Sequence, residues 1–323
     1  MKRRDLIAAF IALMFGMSIA RAQQPKVARV GVLSPADNNA TPIFEAFRRG
    51  LRELGYVEGG NIILEYRFTH GDYSALPRLA EELAMLPVDI IVTDGPSAAQ
   101  AAANASRTIP IVMGVSGGDP VALGLVASLA RPGGNVTGFT LMFPELSVKW
   151  VELVRTAFPN AKAMTVLVNP ENASTEALIT QVTTHSLGLA VTRIDAASPE
   201  ALRAIRPEAL GLLGGPVLVV PDAMFWNHRR EIIALIAAAG VAAIYPQREY
   251  AEDGGLIAYG ANVPDTFRRA AGYVDRILKG AHPGELPVQE PVKFDFVINL
   301  RTANALGLTI SQEILIRADE VIE

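Results

Sequence analysis

Residues 88–97 read VDIIVTDGPS, and this stretch decides the fold class of the chain. The apolar run Val88–Val92 is typical of a buried strand, and Asp94-Gly95 supplies the turn that follows it. A proline and a serine then begin an alanine-rich helix, because proline is favoured in the first helical turn. The next apolar run is Ile109–Met113. A strand, a turn, a helix and a second strand indicate a βαβ unit, whose strands run parallel.

The same alternation continues on both sides of this unit. Before it stand a predicted strand at Val27–Leu33 and a helix that begins at Pro42. After it, an Asp-Pro start predicts a helix over Val121–Ala130. A second series of strands and helices begins near the strand Ala163–Val168 and includes the helix Pro264–Gly280. Continuous apolar strands between amphipathic helices predict an α/β protein with two doubly wound parallel-sheet lobes.

Composition excludes several classes of protein. Of the 323 residues, 50% are hydrophobic and 19% are charged, which is typical of a folded globular chain rather than a disordered one. The net charge of −4 offers no basic surface for nucleic acid. The absence of cysteine excludes disulfides and thiolate metal sites. The four histidines show no metal-binding spacing, so we expect neither a metal nor another cofactor.

The N-terminus has the three parts of a secretory signal peptide. A basic start, Lys2-Arg3-Arg4, precedes the apolar run Leu6–Ala20, and Ala20-Arg21-Ala22 provides small residues before a cleavage site. Residues 1–22 are therefore predicted to be a signal peptide that is cleaved after Ala22. An uncleaved anchor helix and a twin-arginine export route are the open alternatives. The mature chain would carry 25 basic and 32 acidic residues, a net charge of −7.

Ligands of doubly wound proteins bind beyond the carboxyl ends of the strands, so the strand-to-helix turns carry the candidate chemistry. The helix that follows Gly95 offers free backbone N–H groups and the Ser97 hydroxyl, which suit a carboxylate. Asp222, and Asp94 as a second candidate, would hold an ammonium group. Aromatic residues in the turns of the second lobe would form walls: Phe225, Trp226, Tyr245 and Tyr250. These features predict capture of a small zwitterion or acid.

A catalytic alternative rests on residues 114–118, which fit the G-x-S-x-G pattern of a hydrolase nucleophile. Ser116 would be the nucleophile, with Asp222 and either His228 or His282 as its partners. Four residues separate Ser116 from the predicted helix, whereas a nucleophile elbow passes directly from strand to helix. A dinucleotide site is excluded, because no G-x-G-x-x-G follows the first strand. We therefore expect a binding protein and not an enzyme.

Several segments in a fixed order resemble the substrate-binding proteins of ABC transporters, in the tryptophan/tyrosine-type group. The resemblance covers nearly all of the mature chain, and its most distinctive part is an Asp-Pro-Val followed by an Ala-Arg-Pro-Gly-Gly-Asn-Val-Thr-Gly run. The segments that carry it are residues 50–56, 60–61, 98–102, 109–112, 119–121, 130–138, 298–300, 305–310 and 317–322.

This resemblance implies a type I periplasmic binding protein fold with a hinge, in which the chain crosses between lobes three times. The crossings would fall near Thr140, Glu249–Asp253 and Pro283–Pro287. Lobe one would comprise residues 26–140 plus 252–284, and lobe two residues 141–251 plus 285–323.

The resemblance also implies a periplasmic protein that closes on a small ligand and delivers it to an ABC permease. The chain would be monomeric and without catalytic activity. A ligand-sensing module for a membrane receptor is an alternative that uses the same fold. The ligand would be an amino acid or aromatic acid, but Asp94 and the Gly114–Gly118 loop depart from the pattern of many relatives. The ligand of the group is therefore not carried over to this chain.

The candidate ligand-binding residues come from the turns of both lobes. Lobe one would contribute Ser34, Asp94, Gly95, Pro96, Ser97, Ser116, Gly117 and Asp119, and lobe two Asn169, Asp222, Ala223, Gln247 and Tyr250.

Overall fold

The computed structural model describes residues 27–141, 143–212 and 214–323, apart from the side chains of residues 143–145. The predicted signal peptide lies outside the described residues. Within these ranges, no helix is both long enough and apolar enough to cross a bilayer. The same ranges hold no cluster of acidic and histidine side chains that could bind a metal ion.

Five parallel strands form the first sheet. They are β1 (Ala28–Ser34), β2 (Ile62–Phe68), β3 (Ile90–Asp94), β4 (Ile111–Val115) and β5 (Val136–Gly138). Their order in space is β2-β1-β3-β4-β5. The strand order reverses between β1 and β3, as in a doubly wound sheet, and this is the topological switch point at which such sheets bind ligands.

Seven strands form the second sheet. They are β6 (Ala163–Val168), β7 (Ala190–Asp195), β8 (Val217–Val219), β9 (Ala243–Tyr245), β10 (Ile257–Ala261), β11 (Phe294–Asn299) and β12 (Glu320–Ile322). Their order is β12-β11-β10-β9-β8-β6-β7. The first five in chain order repeat the arrangement of the first sheet, so the second switch point lies between β6 and β8. The pair β10–β11 is antiparallel, which departs from the all-parallel sheet that the sequence predicted.

The helices cover the faces of the two sheets. In chain order they are α1 (Pro42–Glu53), α2 (Leu76–Met85), α3 (Pro96–Ala105), α4 (Phe143–Ala157), α5 (Thr175–Thr184), α6 (Pro199–Arg203), α7 (Pro207–Gly211), α8 (Ala223–Asn227), α9 (Arg229–Ala239), α10 (Arg248–Glu252), α11 (Val263–Leu278), α12 (Leu300–Ala305) and α13 (Gln312–Arg317). Central strands such as β3, β4 and β6 are buried along their whole length, whereas the edge strand β7 is half-exposed. This difference explains why the central strands read as continuous apolar runs.

Helix α11 belongs to the first sheet although it follows a strand of the second. It packs along α1 and over β4, and the Phe267 ring meets Phe44 edge-on at 5.7 Å. Gly50 in α1 allows this close approach, because a Cβ atom there would stand 2.3 Å from the Arg268 carbonyl oxygen. We call the first sheet with α1–α3 and α11 the first lobe, and the second sheet with the other helices the second lobe.

The expected return of the chain to lobe one at residue 252 is wrong. Strand β10 pairs with β9 and β11 in the second sheet, so residues 252–261 belong with the second lobe. The chain enters the first lobe only at α11. It leaves again after Gln289, because Phe139 and Gln289 still form a bridge beside β5. The short apolar run of β10 fits either sheet, and only strand pairing decides between them.

The helix predicted over Val121–Ala130 is also absent, and this segment forms a series of turns. The amides of Leu125 and Val126 both donate to the Pro120 carbonyl, at 2.9 and 3.3 Å. Gly124 has a φ of +70°, which ends any helical path after one turn.

Gly138, at the end of β5, provides a test of this architecture. Its φ is +124°, and a Cβ atom would stand 2.2 Å from the Met113 carbonyl oxygen in β4. We expect Gly138→Ala to lower the free energy of unfolding by about 3 kcal/mol, since both the backbone strain and the clash oppose the folded state. Urea denaturation measures the change. The control is Gly134→Ala, where a Cβ atom meets nothing within 4 Å and stability should hold; equal stability of the two variants would contradict the account.

Candidate functional site

The first switch point brings together Ser34 and Asp94, which end the neighbouring strands β1 and β3. The Ser34 hydroxyl donates to Asp94 Oδ2 at 2.7 Å, and it accepts from the Ala36 amide at 3.0 Å. Asp94 is only 6% exposed. The serine therefore orients a buried carboxylate at the edge of the sheet where a doubly wound lobe binds its ligand.

Burial of the ionised Asp94 carboxylate has a free-energy cost. Burial raises the pKa of its carboxyl to about 6; the Ser34 hydrogen bond opposes this rise, and the negative charge of Asp222 adds to it. In the described part of the chain, neither lysine nor arginine forms an ion pair with it, and Ser34 is its hydrogen-bond donor. Asp94 thus has acceptor directions left for a donor that comes from elsewhere.

The second switch point is built in the same way, from Asn169 after β6 and Asp222 after β8. Asp222 is 5% exposed and caps α8, since its Oδ1 accepts from the amides of Met224 at 2.9 Å and Phe225 at 3.1 Å. The Asn169 amide lies 3.3 Å from each carboxylate oxygen. Both lobes therefore place a polar pair at the point where their strand order reverses.

The other oxygen of Asp222 is also occupied. Its Oδ2 accepts from the Tyr73 hydroxyl at 2.7 Å and from Asn172 Nδ2 at 3.0 Å. Asn172 is fixed with its amide nitrogen toward Asp222, because its Oδ1 accepts from the amide and the hydroxyl of Ser174. Burial and the charge of Asp222 raise the pKa of Tyr73 well above its usual range, so its hydroxyl keeps the proton that it donates.

These contacts change the role that the sequence predicted for Asp222. An ionised carboxylate has about four lone-pair directions, and the protein itself supplies four close donors to Asp222. The cleft carboxylate with unused acceptor directions is instead Asp94. Asp222 anchors the second lobe to Tyr73 of the first.

Two further contacts join the lobes beside this anchor. The Ser97 hydroxyl accepts from the Ala173 amide at 3.0 Å and donates to the Glu171 carbonyl at 3.3 Å. The Asn227 amide donates to the Pro35 carbonyl at 3.4 Å. The side chain of Ser97 therefore spans the lobes in this structure and is not directed to a ligand carboxylate, as the sequence had predicted.

Between the lobes lies a cleft that encloses about 790 Å³ of empty space, including the part that opens to solvent. Its walls combine apolar and aromatic side chains with a few polar groups, as small-molecule sites do. The wall from the first lobe comprises Ala36, Ile43, Tyr73, Asp94, Gly95, Pro96, Val115, Gly117, Val263 and Pro264. Opposite them and at the crossing are Leu141, Asn172, Pro221, Asp222, Ala223, Trp226, Gln247, Arg248, Glu249, Ala261 and Asp295.

The thirteen candidate residues divide into two groups in this structure. Those on the cleft wall are Asp94, Gly95, Pro96, Gly117, Asp222, Ala223 and Gln247. Those behind or beside the wall are Ser34, Ser97, Ser116, Asp119, Asn169 and Tyr250. Ser34 and Asn169 still act on the site, because each contacts a carboxylate of the wall.

The remaining members of the second group have other partners. Asp119 caps its own loop, since its Oδ1 accepts from the Val121 amide at 2.8 Å. Tyr250 is fully buried and stacks on Tyr245 at 5.1 Å between ring centres, as a layer behind Trp226.

In the described part of the chain, neither His228 nor His282 forms a hydrogen bond with Ser116, as the hydrolase alternative would require. The Ser116 side chain is fully buried, and its hydroxyl lies 3.4 Å from the Gly117 carbonyl. His228 contacts Glu231 at 2.8 Å, and His282 accepts from the Gly284 amide at 3.1 Å. A nucleophile needs its base within hydrogen-bond reach, and neither imidazole is placed to serve.

Sequence reasoning missed Tyr73, whose hydroxyl donates a 2.7 Å hydrogen bond across the lobes to Asp222. The sequence contained one indication of Tyr73, because it lies in the loop after β2. This strand is parallel to β1 and β3, so its carboxyl end lies at the same edge of the sheet. The predicted site did not include the loop after β2, in which a short 3-10 turn at Tyr73–Ala75 precedes α2.

The part of the cleft formed by Gln247, Arg248, Glu249 and Asp295 is rich in acceptor oxygens, and we call it the β9–α10 part. The Arg248 guanidinium is held by three carboxylates: those of Glu252, Asp295 and Glu320. Burial raises the pKa of Glu249 to about 7. Gln247 Oε1 is buried without a hydrogen-bond partner among the described residues. The same is true of the hydroxyl of Tyr250, which lies behind or beside this wall.

Comparison with known proteins agrees with this architecture. One relative, named tyrosine-binding protein, from Clostridioides difficile strain R20291, is 28% identical over 270 residues, which are 82% of this chain and 76% of that protein. The crystal structure of a conserved domain protein from Vibrio cholerae O1 biovar eltor strain N16961 has a TM-score of 0.84 at 28% identity and covers 92% of this chain and 100% of that one.

A second crystal structure, of an ABC domain from Streptococcus pneumonia in complex with L-Trp, has a TM-score of 0.83 at 24% identity. It covers 91% of this chain and 99% of that one, and it supports the fold. The family described as ABC transporter substrate binding protein matches residues 29–322, nearly the whole described chain. With two doubly wound lobes around one cleft, this chain belongs to the ABC transporter substrate-binding protein family.

Proposed function

We propose that this chain is the periplasmic binding component of an ABC importer and that it captures a free amino acid in the cleft between its lobes. The ligand would then pass to a permease in the inner membrane, with the binding protein acting as a monomer. Family membership and the predicted signal peptide support export and transport. The observation that carries the choice of ligand is the state of Asp94.

Asp94 is a buried carboxylate on the cleft wall that has no cationic partner among the described residues. An unpaired buried carboxylate is costly, and an ammonium group placed against it would restore a charge-assisted hydrogen bond. The charge of Asp222 nearby adds to the attraction for a cation and disfavours a ligand that is only an acid. We therefore favour an amino acid over the simple aromatic acid that the sequence left as an alternative.

The carboxylate of the ligand would bind near the start of α3. Gly95 and Pro96 lie on the cleft wall, and the first N–H groups of a helix have no acceptor within the helix. The positive end of the helix dipole favours an anion there. This proposal uses the backbone of the turn, because the Ser97 hydroxyl is engaged with the second lobe.

An aromatic side chain would suit the remaining space. Trp226 and Ile43 lie on opposite walls, and the Arg229 guanidinium lies 4.7 Å from the centre of the Trp226 ring, which fixes the ring in place. The names of two similar proteins refer to tyrosine and L-Trp as their ligands. Flat apolar walls and these relatives together support an aromatic amino acid.

Binding would be coupled to closure of the two lobes about a hinge. We propose lobe one as residues 27–140 plus 263–289 and lobe two as residues 141–262 plus 290–323, with crossings near 140, 262 and 290. The contacts of Tyr73 with Asp222 and of Ser97 with Ala173 would stabilise the closed arrangement. A ligand that touches both lobes shifts the population toward that arrangement, since it binds the open form less well.

A thermal-shift screen of the twenty L-amino acids tests the proposed function. At a hundredfold excess over its Kd, a true ligand should stabilise the protein by about 2.7 kcal/mol and raise its Tm by several degrees. Two analogues of L-tyrosine show which charged group of the ligand is needed for binding: 3-(4-hydroxyphenyl)propionate lacks the ammonium group, and tyramine lacks the carboxylate. We expect no shift from the propionate. Absence of a shift with every amino acid would refute the proposed function, and an equal shift from the propionate would refute the role of Asp94.

The pH dependence of affinity follows from the pKa of Asp94. An ammonium ligand binds the ionised carboxylate, and that carboxyl has a pKa of about 6 before the ligand arrives. Affinity should therefore be highest above pH 7 and fall about tenfold by pH 5, because protonation competes with the ligand. Titration calorimetry at pH 8, 6 and 5 measures this. Glu249 also titrates in the cleft, so Asp94→Asn serves as the control and should remove most of the dependence.

A further inference from the structure

The β9–α10 part of the cleft contains a buried acceptor that the protein does not satisfy. Gln247 follows β9 and stands just before α10, so it lies at the carboxyl edge of the second sheet. Its side chain does not cap α10, and its Oε1 is buried without a donor among the described residues. A buried acceptor without a partner costs free energy, so a donor from the ligand would relieve that cost.

The neighbouring side chains do not supply this donor in the described part of the structure. The guanidinium of Arg248 is committed to the carboxylates of Glu252, Asp295 and Glu320. Glu249 and Asp295 place further carboxyl oxygens on the same part of the cleft wall. The β9–α10 part therefore favours a ligand group that donates a hydrogen bond over one that only accepts.

A second observation from the same element agrees. Tyr250 lies one turn after Gln247, with its amide 3.1 Å from the Gln247 carbonyl, and its hydroxyl is also buried without a partner. Its ring packs against Trp226, which lies on the cleft wall. The buried acceptor of Gln247 and the Trp226 ring thus lie on the wall of the same cleft, which suits an aromatic ligand ring that carries one polar hydrogen.

We propose that Gln247 is a specificity-determining residue, whose side-chain oxygen accepts a hydrogen bond from an O–H or N–H group on the aromatic side chain of the ligand. This inference rests on the proposed function, since it assumes an amino acid in the cleft. The ligand is then of the phenol or indole class, and phenylalanine is discriminated against. A site that is built to pair a donor rejects the analogue that lacks it, because its own polar group is left unpaired.

Calorimetry with two ligand pairs tests this inference. L-Tyrosine differs from L-phenylalanine only in its hydroxyl, and L-tryptophan differs from 1-methyl-L-tryptophan in its ring N–H. In the unmodified protein, the donor-bearing member of at least one pair should bind at least about tenfold more tightly than its partner. The variant Gln247→Met keeps the length of the side chain without the acceptor. In it, the two affinities of that pair should differ by no more than about threefold, because the donor-bearing ligand binds more weakly. Gln247→Glu keeps an acceptor and should retain the preference.

The outcomes separate the inference from the proposed function. Binding without preference in both pairs, or an equal loss for both members in Gln247→Met, overturns the inference and leaves the proposed function intact. Absence of binding by every amino acid, in a protein whose unfolding remains cooperative, overturns both. Thermal unfolding of each variant confirms that the comparison is made between folded proteins.

Discussion

Replacing Asp94 with asparagine should weaken binding of the amino acid by about 30- to 100-fold and, at the same time, make the ligand-free protein more stable. The loss of affinity follows from exchanging a charge-assisted hydrogen bond for a neutral one in a buried site, a difference of about 2–3 kcal/mol. Asparagine fills the same volume and still accepts from the Ser34 hydroxyl, so the shape of the cleft is kept.

The gain in stability follows from the pKa of Asp94. In the folded protein its carboxyl has a pKa of about 6, above the ordinary value of 3.8, so the folded state holds this proton more tightly than the unfolded state. The free energy of unfolding therefore falls as the pH rises from about 4 to about 6. Above that window the ionised carboxylate costs about 3 kcal/mol, and Asp94→Asn should recover much of it at pH 7.5.

Calorimetry gives the affinity of this variant, and urea denaturation of the ligand-free protein gives its stability. At pH 4 the two ligand-free proteins should be nearly equal in stability, because Asp94 is then protonated in the folded state. Glu313→Gln, which neutralises an exposed carboxylate on α13, should change neither quantity. If Asp94→Asn bound the ligand as tightly as the unmodified protein, Asp94 would not be the ammonium acceptor.

Asp222→Asn should have the opposite effect on stability and lower the free energy of unfolding by about 3 kcal/mol. The amide oxygen can still cap α8, but the amide nitrogen would replace Oδ2 and face another donor, Asn172 Nδ2, while the Tyr73 hydroxyl would have to turn and accept. Asn172 cannot turn over to adapt, because its own oxygen is held by Ser174. A buried donor that faces another donor costs the full desolvation penalty of both groups.

Ligand affinity should fall in the same variant, because the contact between the lobes is lost. Tyr73→Phe is the matched control: it removes one hydrogen bond to Asp222 and should cost about 1–2 kcal/mol. Urea denaturation and calorimetry together separate the two effects. Stability of Asp222→Asn within about 0.5 kcal/mol of the unmodified protein would contradict the view that the carboxylate is saturated by its neighbours.

The contrast between Asp94 and Asp222 shows how far sequence reasoning reached into the site. Both residues follow apolar strands, so their place at the carboxyl edge of a sheet is evident from the order of residues alone. Their roles depend on how many donors surround each carboxylate, and those donors come from distant parts of the chain. Tyr73 is 149 residues away from Asp222, and no local pattern connects them.

The sequence by itself determined the alternation of strands and helices, the two-lobed α/β fold and the family. Each of these depends on local periodicity or on short motifs such as Val88–Ser97, where burial of a strand and the start of a helix follow from neighbouring residues. Most predicted strands therefore lie within two residues of those observed, as at Ala163–Val168. The expected helix over Val121–Ala130 is absent because Gly124 has a positive φ and the amides of Leu125 and Val126 both donate to the neighbouring Pro120 carbonyl.

Only the tertiary structure decided which sheet takes Ile257–Ala261, which carboxylate keeps unused acceptor directions, and which polar atoms of the described residues stay unpaired in the cleft. Strand pairing, burial and hydrogen-bond partners are properties of contacts between residues far apart in the chain. Asp94 and Asp222 are the same chemical group at equivalent places in the two lobes. Their surroundings differ, because four close donors surround Asp222 and only the Ser34 hydroxyl donates to Asp94 among the described residues. Asp222 is therefore an anchor between the lobes, whereas Asp94 keeps unused acceptor directions, as the proposed function requires.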